Sequence, residues 1–215
     1  MKDFFNKIEK KPVLITISLI AFQSLSFLFV KLFQSNYHVL ESAVDNQIPF
    51  NKWWILIYCS WHILIFYIPY YLYKKDKNIL AKYLTCYVAS IIISSIIFII
   101  YPTIVTRPTL QNDNILHILT NFIYWLDNPA INCLPSMHCA ISMLFIFTIF
   151  TSKKASKNMR IFILIISILI MISTLFVKQH VVIDIIAGDI MMTFIYFCVN
   201  NDKKVVNKVK KLLNI

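Results

Sequence analysis

Six long apolar runs, separated by polar and mostly basic segments, organise the chain. They cover roughly Val13–Phe33, Trp53–Tyr73, Tyr83–Tyr101, Pro135–Thr151, Ile161–Val177 and Val181–Val199, each 17–21 residues long. A hydrocarbon core of about 30 Å is crossed by roughly 20 helical residues. Only helices and closed barrels satisfy the backbone in lipid. The pattern therefore predicts an all-α polytopic membrane bundle of six transmembrane helices. Lys2, Lys7, Lys10 and Lys11 precede the first run, as in a signal peptide. That run is longer than the roughly 7–15 residues of a signal core and carries no small-residue cleavage pattern, so it is read as a span.

The positions of the basic residues orient the bundle. The amino-terminal tail, the segments Lys74–Lys82 and Lys153–Arg160, and the carboxy-terminal tail Lys203–Lys211 hold 17 of the 21 lysines and arginines. Positive charge marks the cytoplasmic side, which places both termini inside. Pro102–Leu134, the one long connection, then lies outside. Within it, Ile115, Ile118, Leu119, Phe122, Trp125 and Leu126 recur at helical spacing beside Tyr124, predicting a short helix in the membrane interface. His117 on that segment has no obvious partner in the sequence and is expected to be a surface histidine.

Composition narrows the field. The 215 residues are 59% hydrophobic and 14% charged, against about 25% charged for soluble domains, and form one domain, 1–215. There is a single glycine, Gly188. Phosphate-cradling and dinucleotide loops need several glycines, so no such nucleotide site is expected, and a hairpin-rich barrel is disfavoured. The net charge of +11 is accounted for by topology, so no nucleic-acid partner is expected. Of the five cysteines, Cys59, Cys86 and Cys198 lie within apolar runs. Cys133 and Cys139 admit a disulfide, but unpaired thiols are the simpler expectation, and their spacing fits no metal motif.

Three ionisable clusters share the outer side. Arg107-Pro108 follows the third run, Pro135-Ser136-Met137-His138 opens the fourth, and Lys178-Gln179-His180 leads through Asp184 into the sixth. His180 and Asp184, four apart, share a helix face. A carboxylate within a span needs a partner, and it fixes the imidazole tautomer so that the other nitrogen becomes the better base or nucleophile. Alone, the pair fits equally a structural pin for the last helix. Ser136 and His138 stand at a helix start, where orphan amides and the dipole favour an anion, and Pro135 suits the first turn. Plain N-capping by Ser136 is the competing use. Arg107 and Lys178 add a planar fork and a point charge. Either could be a snorkelling anchor; that both adjoin histidines favours a site for a tetrahedral oxyanion.

Together these segments resemble the signature of the type-2 phosphatidic acid phosphatase superfamily, KxxxxxxRP, PSGH and SRxxxxxHxxxD. The chain supplies Arg107-Pro108, Pro135-Ser136-Met137-His138 and His180 with Asp184, in that order. It departs at three places: Ile100 stands for the family lysine, Met137 for the glycine, and Ser173-Thr174 for the SR pair. Lys178, with the lead-in Asn132-Cys133-Leu134, is similar to the inositol phosphorylceramide synthase-like subgroup, which transfers phosphoryl head groups between lipids.

The resemblance implies that His180 attacks phosphorus, oriented by Asp184, and that a phosphohistidine forms. It implies that His138 serves as acid and then base, while Arg107, Lys178, Ser136 and the Met137 amide stabilise the phosphate oxygens. No metal and no cofactor are implied. The expected substrate is a membrane lipid phosphate (phosphatidic acid, phosphatidylglycerol phosphate or polyprenyl diphosphate) at the outer face of a cell membrane. Two alternatives stand beside hydrolysis. One is head-group transfer to a lipid alcohol. The other is a non-enzymatic carrier, for which ionisable residues at several helix centres would be usual; only Asp189, on a different face from Asp184, is such an extra.

Overall fold

The computed structural model describes residues 9–213, so Lys2 and Lys7 of the basic amino-terminal tail lie outside the described residues. Nine helices occur among them: α1 Lys10–Lys31, α2 Ala43–Gln47, α3 Trp54–Lys75, α4 Lys77–Ile100, α5 Ile115–Leu126, α6 Met137–Thr151, α7 Lys157–Phe176, α8 Val182–Asn201 and α9 Lys203–Leu213. A two-residue parallel pair joins β1 His38–Val39 to β2 Thr103–Ile104. Five helices, α1, α3, α4, α7 and α8, are long and apolar enough to cross a membrane, which marks a membrane protein. The fourth predicted run forms a helix of only 15 residues, α6.

Several helix starts have a local cause. Asp76 accepts from the Ile79 amide and starts α4 one residue after α3 ends. The basic stretch Lys74–Lys82, expected as a loop, is therefore almost wholly helical; capping by a single aspartate is enough to turn the chain. Ser156 caps α7 and Asn114 caps α5 in the same way. Pro135 was expected in the first turn of its helix. Instead Ser136 is the N-cap, its hydroxyl accepting from the Cys139 amide, and Pro135 precedes it. His117 is also not alone: its Nδ1 meets the carboxylate of Asp113, one turn earlier.

α6 is central. It packs against α4, α7 and α8, burying Ile141, Leu144, Phe145 and Ile149 against Tyr83, Tyr87 and Ile163. This explains how a short apolar helix is held: its neighbours cover most of it. The outward faces of α1, α7 and α8 instead carry large apolar side chains such as Leu25, Phe29, Phe162, Phe194 and Phe197, as a lipid solvent requires.

The two ends of the bundle differ. At one, Lys74 meets Glu9, Lys82 meets Asn200, and Lys210 meets Asn78. The lysine-rich segments thus gather at a common end. At the other, β1 and β2 join the segments after α1 and α4, and the bridge between Ile104 and Ile131 adds the segment before α6.

The single glycine lies where α8 crosses the start of α6. A β-carbon built at Gly188 would come 2.5 Å from the Ser136 carbonyl oxygen, a backbone atom with little room to move. Helix propensity alone favours alanine over glycine by about 1 kcal/mol, whereas forcing two backbones apart costs about 1–3 kcal/mol. Gly188→Ala is therefore expected to lower the thermal unfolding temperature of the detergent-solubilised protein. A variant as stable as the parent or more so would show that this crossing opens without cost.

Candidate functional site

The end of the bundle opposite the lysines brings the three predicted clusters together. α7 ends in a left-handed turn at Lys178 (φ 53°). The Lys178 amide donates to the Leu175 carbonyl and the Gln179 amide to that of Thr174, the paired bonds that close a helix where glycine usually stands. With its only glycine used elsewhere, the chain adopts this conformation with a lysine. The turn delivers His180 to the start of α8, where Asp184 accepts both the Val181 amide (3.1 Å) and His180 Nδ1 (3.2 Å) through Oδ2.

α6 supplies the second histidine. The Ser136 amide donates to the Asp184 carbonyl at 3.0 Å, fixing the start of α6 against the first turn of α8. His138 Nδ1 then lies 3.4 Å from His180 Nε2. His180 and Asp184 are buried. The expected histidine–histidine–aspartate grouping is thus formed, from residues 138, 180 and 184.

The phosphate-binding candidates are placed around it with their hydrogen-bonding capacity partly used. Arg107 Nη2 pairs with Asp127 Oδ2 at 2.7 Å and also with Gln179 Oε1, while Nη1 donates to the Asp127 carbonyl at 3.0 Å. The guanidinium lies 4.8 Å from the Tyr124 ring centroid. Lys178 Nζ donates to the Asp45 and Ile48 carbonyls. The Ser136 hydroxyl is the cap already described, and Met137 Sδ accepts from Ser94. The amides of Met137 and His138 belong to a first turn that no intrahelical carbonyl can reach.

Around these side chains, several buried polar atoms have no partner among the described residues: Arg107 Nε, Gln179 Nε2, Asn132 Nδ2 and Asp184 Oδ1. Three of the four are N–H donors. Buried donors are rarely left unpaired, so the cluster is chemically disposed toward an oxyanion. Two cavities border His180. One, of about 400 Å³, is lined by Arg107, Lys178, Asp45 and Glu41. The other, of about 380 Å³, includes His138, Asp127 and Gln179 and extends past Phe27, Leu28 and Ile91 of α1 and α4.

The local charges follow from the packing. Burial raises the Asp127 carboxyl above its usual range, and Arg107 offsets only part of this. Burial also pushes Asp45 up, but hydrogen bonds from Ser42 and the Val182 amide, with Lys178 nearby, outweigh it and hold the group below its usual range. Cys133 Sγ, His180 and Asp184 offer ligand atoms within 4.8 Å of one another. Burial raises the Cys133 thiol well above its normal range, and metals bind the thiolate. His180 Nδ1 and Asp184 Oδ2 are bonded to each other as well, the arrangement of an acid–base pair. Cys133 and Cys139 are both unpaired thiols.

Four residues at the site carried no sequence signal of their own: Tyr58, whose hydroxyl is 2.8 Å from His138 Nε2, Trp61 beside the same ring, and the Arg107 partners Asp127 and Gln179. Asp189, five residues along α8, has a buried Oδ1 with no partner among the described residues.

The model of the PAP2 superfamily matches residues 31–198. The chain belongs to this superfamily, the type-2 phosphatidic acid phosphatases, whose members act on phosphate esters. Comparison with curated proteins and with solved structures finds no match.

Asp45 provides a pH test of the architecture. A carboxyl held below its unfolded value stabilises the fold above that value, about 3.9, and the contribution is lost as pH falls through the folded one. Thermal unfolding between pH 3 and 6 is expected to show this loss in the parent. Asp45→Asn should be less stable at pH 6 by about 1–3 kcal/mol and should flatten the acid limb. Identical pH curves would show that Asp45 ties nothing down.

Proposed function

We propose that the protein is a membrane-embedded, metal-independent hydrolase that removes phosphate from a lipid phosphate. The observation that carries this reading is the 3.4 Å approach of His138 Nδ1 to His180 Nε2, with Asp184 behind His180. In the proposed arrangement the bundle spans the membrane six times, α6 included, with both termini cytoplasmic and α5 lying in the interface. Gathering of the lysine-rich segments at the opposite end supports an outward-facing site by the charge rule.

His180 Nε2 attacks phosphorus in line, and the bond to the leaving oxygen breaks as His138 protonates that oxygen. A phosphohistidine results. His138, now neutral, takes a proton from water, whose oxygen attacks phosphorus and releases phosphate from His180. Arg107, Lys178, Ser136 and the first-turn amides of α6 meet the equatorial oxygens, where charge stabilisation matters most. The substrates that fit are phosphatidic acid, phosphatidylglycerol phosphate and polyprenyl diphosphate, because the second cavity runs from the histidines to apolar side chains of α1 and α4.

One observation favours head-group transfer as a second reading. Both cations are engaged, Arg107 by Asp127 and Gln179 and Lys178 by two carbonyls. The Arg107 charge is thus already offset by Asp127, which suits a monoanionic phosphodiester better than a dianionic monoester.

The test is phosphate release from those three lipids by purified protein in chelator, beside His180→Ala. Hydrolysis is expected in the parent, lower by about a thousandfold or more in the variant, with a bell-shaped pH profile because one histidine starts neutral and the other protonated. Head-group transfer from a phospholipid to diacylglycerol, without phosphate release, would replace hydrolysis by the second reading. Silence in both assays would overturn both.

A further inference from the structure

The hydrogen bonds at the site form one line across three helices: Tyr58 Oη to His138 Nε2 at 2.8 Å, His138 Nδ1 to His180 Nε2 at 3.4 Å, and His180 Nδ1 to Asp184 Oδ2 at 3.2 Å. Its direction is set from the carboxylate end. An ionised carboxylate only accepts, and this oxygen already accepts the Val181 amide, so His180 carries its proton on Nδ1. Neutral His180 then presents a lone pair on Nε2. His138 Nδ1, facing that lone pair, is the protonated nitrogen of its ring. Its Nε2 is left as an acceptor, and its partner there among the described residues is the Tyr58 hydroxyl, which donates.

We infer that Tyr58 is a positioning residue that fixes the tautomer of His138. It holds the Nδ1 proton toward the gap where the nucleophile and the leaving oxygen would meet. The inference rests on the proposed acid–base role of His138 for its kinetic consequences, but not for the tautomer itself. Tyr58 is buried and packs with Ile55, Leu116, Ile123 and Val177, away from either cavity bordering His180. It acts through His138, not on substrate.

Among the described residues, no other hydrogen-bond partner of His138 Nε2 is present to replace Tyr58. Trp61 offers a ring at 4.7 Å between centroids. His62, one turn beyond Tyr58, together with Arg107, His180 and its partner Asp184, are the charged or titratable groups acting on His138 from α3, the β2–α5 connection and α8; Asp127 bears on Tyr58 from the end of α5. The Nδ1 tautomer is the resting one. When His138 becomes doubly protonated in the cycle, Nε2 acquires a hydrogen that the Tyr58 oxygen accepts. After the Nδ1 proton passes to the leaving oxygen, the same bond keeps the remaining hydrogen on Nε2 and leaves Nδ1 free to take a proton from water. Without the hydroxyl that hydrogen would be buried and unpaired, so the protonated form would be harder to reach.

The test compares the parent with Tyr58→Phe, which preserves the ring packing. Two-bond ¹H–¹⁵N correlation of protein labelled at histidine, with the His138 signal identified by its loss in His138→Asn, reads the tautomer without any activity. Neutral His138 is expected with its proton on Nδ1 in the parent, and with that preference lost in Tyr58→Phe. A proton on Nε2 in the parent, or an unchanged tautomer in the variant, would overturn the inference. If the protein hydrolyses or transfers as proposed, kcat should fall about tenfold to a hundredfold with KM nearly unchanged. The alkaline limb of the pH profile should move to lower pH. Failure of all activity with the tautomer as expected would count against the proposed function and leave the assignment of Tyr58 standing.

Discussion

The site depends on how Asp184 is satisfied. A carboxylate buried in an apolar bundle is costly unless it is hydrogen-bonded. Here two bonds reach its Oδ2, while Oδ1 has no partner among the described residues and a third bond is made at the residue's main-chain carbonyl. The Val181 amide closes the first turn of α8 on Oδ2, His180 Nδ1 fixes the imidazole on the same oxygen, and the main-chain carbonyl of Asp184 accepts the Ser136 amide. One residue therefore joins the turn after α7, the start of α8 and the start of α6. The two histidines can approach one another because both segments are tied to it. The crossing needs room as well, and Gly188 provides it one turn further on, beneath the Ser136 carbonyl.

Much of this was legible in the sequence, for identifiable reasons. Helix length in lipid is set by thickness, so apolar runs predicted the cores of six of the nine described helices to within a few residues; only the start of the helix at Lys77–Ile100, expected at Tyr83, was missed by more. The i, i+4 spacing of His180 and Asp184 implied their contact, because helical geometry alone brings such residues together. Less legible was whatever a single polar atom decides. Asp76 capping turned an expected loop into two nearly abutting helices, and Ser136 took the cap that shifted Pro135 out of its helix. Tyr58 and Asp127 could not be read at all. Each meets the site across a distance in sequence, 80 residues from Tyr58 to His138 and 20 from Arg107 to Asp127, and each belongs to a stretch whose local pattern is satisfied without any function.

The departures from the family pattern also find a structural meaning. Where the family has glycine before its first histidine, Met137 is accommodated because its side chain turns away to Ser94, leaving the backbone amide in the first turn. Thr174, which stands where an arginine would, is wholly buried and bonded to the Met171 carbonyl, a position in which a guanidinium would lack both room and solvent. Lys178 carries a charge back to this region by a different route. Its backbone makes the left-handed turn, and its ammonium spends two of its three donors on the carbonyls of Asp45 and Ile48.

That arrangement changes what an entering phosphate group would meet. Arg107 Nη2 already pairs with the Asp127 carboxylate and Nη1 with that residue's main-chain carbonyl, so an oxyanion arriving there competes with Asp127 and gains less than it would from an unengaged guanidinium. Unpaired donors nearby, Arg107 Nε, Gln179 Nε2 and Asn132 Nδ2, carry no formal charge of their own beyond that of the guanidinium. A ligand bound by the two neutral amides is selected there more by the placement of its oxygens than by its total charge. A second negative charge on the phosphate would bring little extra attraction and more repulsion from Asp127 and Asp184. A phosphodiester would meet less repulsion from Asp127 and Asp184 than a dianionic monoester, which is the physical ground of the head-group-transfer reading.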